Sequence, residues 1–261
     1  MSTSLHDVRT MSYPDFVAFV GQRNTPPGAT VTLDAWIRGA DITARSRVLD
    51  VACSTGFSSR VAALATGCRA KGFDISRPAV RVARREAAAA KLSSRVDYFV
   101  GDVSELAFAP GQFTHALAGC CFGFFTDRER ALDQVANVLA PRGYLCAANF
   151  YMTRRPPASL RAEVERAVGF SPAPVVGWNR WRRLFERRFE LHALGHRDLA
   201  VVGEDELERA VRESVIEGCR RRRVPAALHA ACVDRMVKTR RVLNRMRAYQ
   251  AHSVEIWRLP S

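Results

Sequence analysis

The chain alternates between two hydrophobic rhythms. Short apolar runs occur at 47–52, 70–74, 96–100, 114–118 and 144–150, the length of a buried strand and too short for a helix. Stretches with helical character lie between them. Residues 78–91 are rich in Ala and Arg, both good helix formers. Thr126-Asp127-Arg128-Glu129 reads as a capping box opening a helix that carries Ala131, Leu132, Val135, Val138 and Leu139 at helical spacing. Pro141-Arg142-Gly143 predicts the turn into the next strand. Strands alternating with helices over short loops predict an α/β fold. Its sheet is mostly parallel, covered on both faces, and takes ligands at the carboxyl ends of its strands.

The flanks read differently. Ser12-Tyr13-Pro14-Asp15 predicts another capping box, with Phe16, Val17, Phe19 and Val20 as the apolar face of its helix. The prolines and glycine at 26–28 end that helix. A short helix carrying Trp36 is expected over 33–38. After residue 151, the stretch 154–187 is rich in Arg, Pro and Trp without clear alternation. A strand at 189–194, helices over 204–217 and 225–247 and a last strand at 253–259 complete a seven-stranded sheet. The expected organisation is a helical arm or lid (1–44), a central core (45–151), and the remainder of the sheet with helical insertions that cover the acceptor site (152–261), all in one domain.

The chemistry concentrates at the predicted strand ends. VLDVACSTGFSSR at 48–60 runs from strand through small-residue turn into helix, the arrangement that brings a nucleotide to a helix N-terminus. Asp50 lies in the first strand, Asp74 ends the second and Asp102 follows the third. A carboxylate ending the second strand can accept from two ribose hydroxyls. Asp102 could accept from an exocyclic adenine amine. Asp50, just before the turn, would repel a pyrophosphate and favour a cofactor bearing an ammonium group. Each Asp alone is more often a turn residue or cap. Three at successive strand ends favour a cofactor site.

These pieces, VLDVACSTG, GFDIS, GDVSELAF and FTHALAGCCFGFFTDRERALDQVANVLAPRGYLCAANF, resemble the class I S-adenosylmethionine-dependent methyltransferases over about residues 45–151. The resemblance implies their Rossmann-like fold and S-adenosylmethionine as cofactor. It implies that Asp50 and the turn Ala52, Cys53, Ser54 and Gly56 receive the methionine part. Asp74 with Ile75 would hold the ribose, and Asp102 with Val103 would frame the adenine. Cys120 would line the floor under the sulfonium. Two of the family's three loop glycines are Ala52 and Ser54 here, which serve if both keep φ below zero. Phe113-Thr114 stands where the family has Phe-Asp. No Asn-Pro-Pro-Tyr motif follows the fourth strand, which weighs against methylation of a nucleobase amine.

A sulfonium is already an activated methyl donor, so the protein mainly aligns the acceptor and excludes water, and no metal is required. The acceptor would be a small molecule, with Tyr13, Trp36, Asn149 and Trp178 as candidate substrate-binding residues. Tyr151 is the candidate orienting or proton-accepting hydroxyl. His115, inside a strand, reads as a satisfied core histidine, and Cys120-Cys121 as small core residues rather than a nucleophile.

The net charge is +14, with 17 Lys and Arg against 13 Asp and Glu up to residue 150, and 23 against 13 after it. That basic excess suits an anionic or carrier-bound acceptor, although a solvated surface is the more economical reading of it and of Arg220 to Arg223. Seven cysteines with no CxxC point to reduced thiols, and no apolar run reaches the length of a membrane span, so a cytoplasmic protein is expected. Three other functions stay open. One is an enzyme that cyclises S-adenosylmethionine itself to azetidine-2-carboxylate and releases methylthioadenosine. Another is an RNA methyltransferase, disfavoured because no interleaved aromatic-basic motif accompanies the charge. The third is a non-catalytic binding protein on the same scaffold.

Overall fold

A computed structural model describes residues 4–22, 24–169 and 175–261. Two short helices open the chain, α1 (Leu5–Thr10) and α2 (Tyr13–Phe19), followed by α3 (Ala29–Gly39). Then come β1 (Arg47–Val51), α4 (Phe57–Thr66), β2 (Arg69–Asp74), α5 (Arg77–Ala89) and β3 (Val96–Val100). A 3₁₀ turn (Val103–Glu105) leads to β4 (Phe113–Gly119), α6 (Arg128–Val138) and β5 (Leu139–Met152). The last third holds α7 (Ala158–Val168), α8 (Asn179–Phe185), β6 (Glu190–Asp198), α9 (Glu204–Arg222), α10 (Ala226–Arg247) and β7 (Gln250–Arg258).

The strands form one seven-stranded sheet in the order β3-β2-β1-β4-β5-β7-β6. Only β7 runs antiparallel to its neighbours. Strand order reverses between β1 and β4, so the crevice for a ligand opens above their carboxyl ends. Alternation along the strands feeds two cores. On one face Leu33, Trp36, Ala62 and Ala83 pack on Val48, Leu117, Cys146 and Ile256. On the other, Leu132, Val135, Trp181 and Phe185 pack on Leu49, Ala116, Leu145 and Trp257. A third cluster lies apart: Val8, Phe16, Val17 and Val20 of the arm meet Val215, Cys219, Cys232 and Met236 of α9 and α10.

Several local expectations are corrected. The cap of α6 is Asp127, whose side chain accepts from Arg130 N; it precedes the first helical turn by one residue, so Thr126 is left outside. Ser12 caps α2, but Asp15 does not reach back and instead accepts from Ser76 Oγ at 2.6 Å. The Pro141–Gly143 turn lies within β5, with Arg142 at φ 62° and an irregular register against β4. The stretch without clear alternation contains α7 and α8, the latter short. Of Arg220 to Arg223, expected as a solvated face, Arg220, Arg221 and Arg223 are exposed, although Arg221 donates to Gly21 O at 2.6 Å, whereas the Arg222 side chain is buried and pairs with Glu86 at 3.1 Å. His115 is satisfied as expected, by Thr114 Oγ1 and Ala40 O, both at 2.8 Å. All seven cysteines are free thiols, and no helix among the described residues is long and apolar enough to cross a membrane.

Candidate active site

The site is built where β1 hands over to α4. Cys53 N donates to Phe73 O at 2.8 Å, Gly56 N to Cys53 O at 2.7 Å, and Gly56 is the N-cap of α4 in the left-handed region. Ala52 and Ser54 also have positive φ, 50° and 47°. The expectation that they keep φ below zero is therefore overturned. The loop retains a glycine-like backbone with side chains that strain it by roughly 1–2 kcal/mol each. Cys120, at the end of β4, is a third such residue with φ 65°. Three of the eight non-glycine residues with positive φ among the described residues thus lie at this crevice.

The three carboxylates differ in environment. Asp50 is 3% exposed and accepts from Ser59 N at 3.0 Å and from Ser59 Oγ. Burial pushes its carboxyl up to about 6, against the opposing pull of Ser59 and Arg60. Among the described residues no cation forms an ion pair with it, Arg60 acting only from a distance. Asp74 is half-buried and links two segments: Oδ2 accepts from Ser54 N at 2.8 Å and Oδ1 from Ser76 N at 2.9 Å. Burial raises its pKa, the two backbone bonds lower it, and Asp15 raises it again. Asp102 is exposed and caps the 3₁₀ turn, accepting from Ser104 N and Oγ, both at 2.8 Å, which hold it below the usual carboxylate range.

Other expected residues divide by location. Ile75 is 75% exposed beside Asp74, an apolar surface facing solvent at the strand end, whereas Val103 is buried. Tyr98 lies under the loop, fully buried, its hydroxyl 2.9 Å from Ser59 Oγ and 3.0 Å from Gly56 O. Cys120 bonds to the backbone of Phe150, and burial pushes its thiol up to about 11, so it is no thiolate. Tyr13 is half-buried in the cluster of arm and late helices. Trp36 is fully buried in the core on one face of the sheet, with Nε1 unpartnered among the described residues.

Asn149, Tyr151 and Trp178 come together on one face at the end of β5. Their hub is Glu255 of β7, fully buried. Glu255 Oε1 accepts from Trp178 Nε1 at 3.0 Å, from Asn149 Nδ2 at 3.5 Å and from Ser253 Oγ, and Oε2 accepts from Trp257 Nε1 at 2.6 Å. Tyr151 Oη meets His196 Nδ1 at 3.0 Å, and the Trp178 ring lies edge-on to the same imidazole. The sequence reading missed Glu255. Its signal was present: a Glu between Val254 and Ile256 in a strand whose two faces are both covered.

The reading also missed His252 of β7, which stands opposite Phe150, two register positions from the end of β5. It is 4% exposed, and both ring nitrogens are buried without a partner among the described residues. It pairs with Phe150 across the strands, their rings 6.2 Å apart edge to face, while Nε2 points toward Gly28, 3.4 Å from where a Cβ would stand. Pro26 of the same loop packs against Gly119. Cys120, Phe150, His252 and the 26–28 loop thus enclose the edge of the crevice nearest β4. Burial, then the charges of Arg197 and Arg247, hold the His252 imidazole below its ordinary pKa and so neutral near pH 7.

Comparison with known proteins adds to this geometry. A methyltransferase-domain family model matches residues 48–143. The crystal structure of MccD protein is 36% identical, with a TM-score of 0.78 over 91% of this chain and 100% of that one. Methyltransferase GfsG of Streptomyces halstedii is 32% identical over 109 residues, 42% of this chain and 39% of that protein. A methyltransferase from Geobacter sulfurreducens crystallised with S-adenosylhomocysteine shares the fold, with a TM-score of 0.69 at 17% identity over 96% of this chain and 99% of that one. The chain spans about half or less of the length of the curated relatives it matches. With the sheet order, the strand-end carboxylates and the near full-length match to MccD, this chain belongs to the class I S-adenosylmethionine-dependent methyltransferase superfamily.

Proposed function

We propose that this protein transfers the sulfonium methyl of S-adenosylmethionine to a small-molecule acceptor. The observation that carries the reading is the set Asp50, Asp74 and Asp102, at three adjoining strand ends around the loop that caps α4. The donor chemistry fits the cofactor. Among the described residues Asp50 is a buried carboxylate lacking a paired cation, which an ammonium would complete. Asp74 lies at the second strand end, where two ribose hydroxyls are accepted. When bound, S-adenosylmethionine supplies a methyl group already activated for displacement, so the chain's own residues align, shield and handle one proton. Ala52, Cys53, Ser54 and Gly56 shape the methionine end, Ile75 and Val103 flank the nucleoside, and Cys120 contributes a neutral, soft floor.

The acceptor would enter beside β5. Asn149 and Trp178 are held by Glu255, and Tyr151 by His196, so all three side chains are positioned before an acceptor arrives. His252, opposite Phe150 and so on the other face of the sheet from Asn149 and Tyr151, is the neutral group that would take a proton from a hydroxyl acceptor lying across the strand ends. Trp36 is left out of the proposal because the core encloses it.

The test begins with purified protein and S-adenosylmethionine, alone and with a panel of hydroxyl, amino and quinol acceptors, followed by mass spectrometry. S-adenosylhomocysteine formed only with an acceptor is the expected result. Asp74→Ala should weaken S-adenosylhomocysteine binding by about tenfold or more through lost charged hydrogen bonds. Methylthioadenosine as the by-product would overturn methyl transfer and place the chemistry at another carbon of the sulfonium. Absence of cofactor binding would overturn the whole reading.

A further inference from the structure

Just past the end of β5 lies a cavity of about 330 Å³ lined by Arg155, Pro156, Arg161, Val176 and Arg180. Its position is fixed by the sheet. Met152 N donates to Val175 O at 2.7 Å and Gly177 N donates to Met152 O at 2.9 Å, which ties the 175–177 segment to the strand end. Trp178, two residues before Arg180, donates to Glu255. The cavity therefore adjoins the cluster that holds Asn149, Tyr151 and Trp178.

Its charge is uncompensated. Arg155, Arg161 and Arg180 have no carboxylate partner among the described residues. Neighbouring arginines do: Arg182 pairs with Glu186 at 2.7 Å, Arg187 with Glu129 at 3.0 Å and Arg188 with Asp133 at 2.6 Å. Arg161 sits in the first turn of α7, which has no acidic residue there and no side-chain cap. A cation in that place opposes the helix dipole, so an anion is favoured twice, by the guanidinium groups and by the helix end. Arg128 adds to the field. Burial first, and the charge of Arg180 second, hold its guanidinium below the usual value.

We propose that this arginine-lined cavity is a subsite for a phosphate group carried by the acceptor. Three guanidinium groups around one cavity repel one another and offer forked donors that match phosphate oxygens. The assignment rests on the reading of the adjoining crevice as the acceptor site, and it names the substrate class: a small molecule that carries a phosphoryl group.

The probes are phenyl phosphate, phenol and a short single-stranded RNA, titrated by calorimetry into protein saturated with S-adenosylhomocysteine. Phenyl phosphate should bind with one-to-one stoichiometry, about tenfold or more tighter than phenol. The Arg155→Gln/Arg161→Gln/Arg180→Gln variant should lose that preference while binding S-adenosylhomocysteine as before, since all three side chains are exposed. Arg180→Lys should fall between the two, because it keeps charge and loses the fork. Equal binding of phenyl phosphate and phenol, or phosphate binding unaffected by the triple variant, would overturn the subsite while leaving the cofactor reading intact. RNA bound more tightly than phenyl phosphate, with loss on the same substitutions, would overturn the small-molecule assignment. Failure of S-adenosylhomocysteine to bind would overturn both proposals.

Discussion

Gly56 is the loop glycine that has no substitute, and Gly56→Ala tests why. A Cβ at this position would stand 2.5 Å from Tyr98 Cζ and Oη and 2.7 Å from Cε1. The ring has nowhere to retreat. A Cβ at Gly72, on its other side, would stand 2.7 Å from Tyr98 Cδ1, so the ring already fills the space between two glycines. Its hydroxyl is also pinned by Ser59 and Gly56 O. Two costs therefore combine. Alanine at φ +71° costs about 1–2 kcal/mol in backbone strain. Forcing a methyl into a filled core costs about 1–3 kcal/mol more. Urea denaturation should show a loss of about 2–5 kcal/mol with an unchanged m-value, a large part of the ~5–15 kcal/mol typical of a folded domain. In a Tyr98→Leu background the steric part disappears and Gly56→Ala should cost only its strain, about 1–2 kcal/mol. Equal losses in both backgrounds would refute the reasoning. By contrast, Ala52→Gly and Ser54→Gly should each change stability by less than about 1 kcal/mol, because relief of strain offsets the added freedom of the unfolded chain.

Other consequences can be measured directly. Asp50 has its folded pKa raised to about 6 from 3.8, so the folded state holds the proton more tightly. Its contribution is fully present below about pH 4, falls as pH rises to about 6, and amounts to about 3 kcal/mol. Asp50→Asn should remove that descending limb from urea midpoints measured between pH 4 and 7; an unaltered limb would assign it to another group. In the native protein S-adenosylhomocysteine affinity should rise with pH through about 6, and in Asp50→Asn it should be low and flat. Glu255→Gln turns one acceptor into a donor facing donors, so it should cost about 2–3 kcal/mol by urea denaturation, and a loss under about 1 kcal/mol would show the cluster to be loosely held. His252→Phe buries no unpaired nitrogen, so it should match the native stability or exceed it by about 1 kcal/mol while turnover of hydroxyl acceptors is lost. Retained turnover would end the case for His252 as proton acceptor.

Much of the fold was legible because the central strands are contiguous apolar runs and the helices between them carry caps or clean spacing. The five core strands fell within a few residues of prediction, β5 excepted. There the Pro-Arg-Gly stretch looks like a turn, yet Arg142 takes a left-handed conformation and lets the strand continue. The helices α7 and α8 were missed because both lie among arginines and prolines that blur any period, and α8 is short besides. At the site, the aspartates could be read because their type and spacing carry the signal. The sign of φ at Ala52 and Ser54 could not, since it is imposed by the turn rather than by those side chains. Asn149, Tyr151 and Trp178 were singled out one by one. What joins them is Glu255, about a hundred residues later in the chain, a relation that only strand pairing creates.

The arm of α1 and α2 has a consequence for the order in which the molecule can form. Arg235 in α10 donates to Val8 O at 2.6 Å and to Met11 O at 2.8 Å, a closure across 227 residues of sequence for the first of these. As the chain is synthesised, Val8, Phe16, Val17 and Val20 emerge long before the residues of α9 and α10 against which they pack. Such distant contacts come late, after their loop entropy has been spent on nearer ones. The nascent chain must therefore carry an exposed apolar stripe through most of its translation, a state open to chaperones and to aggregation. Asp15, which accepts from Ser76 beside Asp74, is on that same arm. The crevice thus gains its last wall only when the final helices dock, and a ribosome-bound chain stalled before α10 would lack β7 as well, leaving β5 with an open edge and β6 with no strand to pair with.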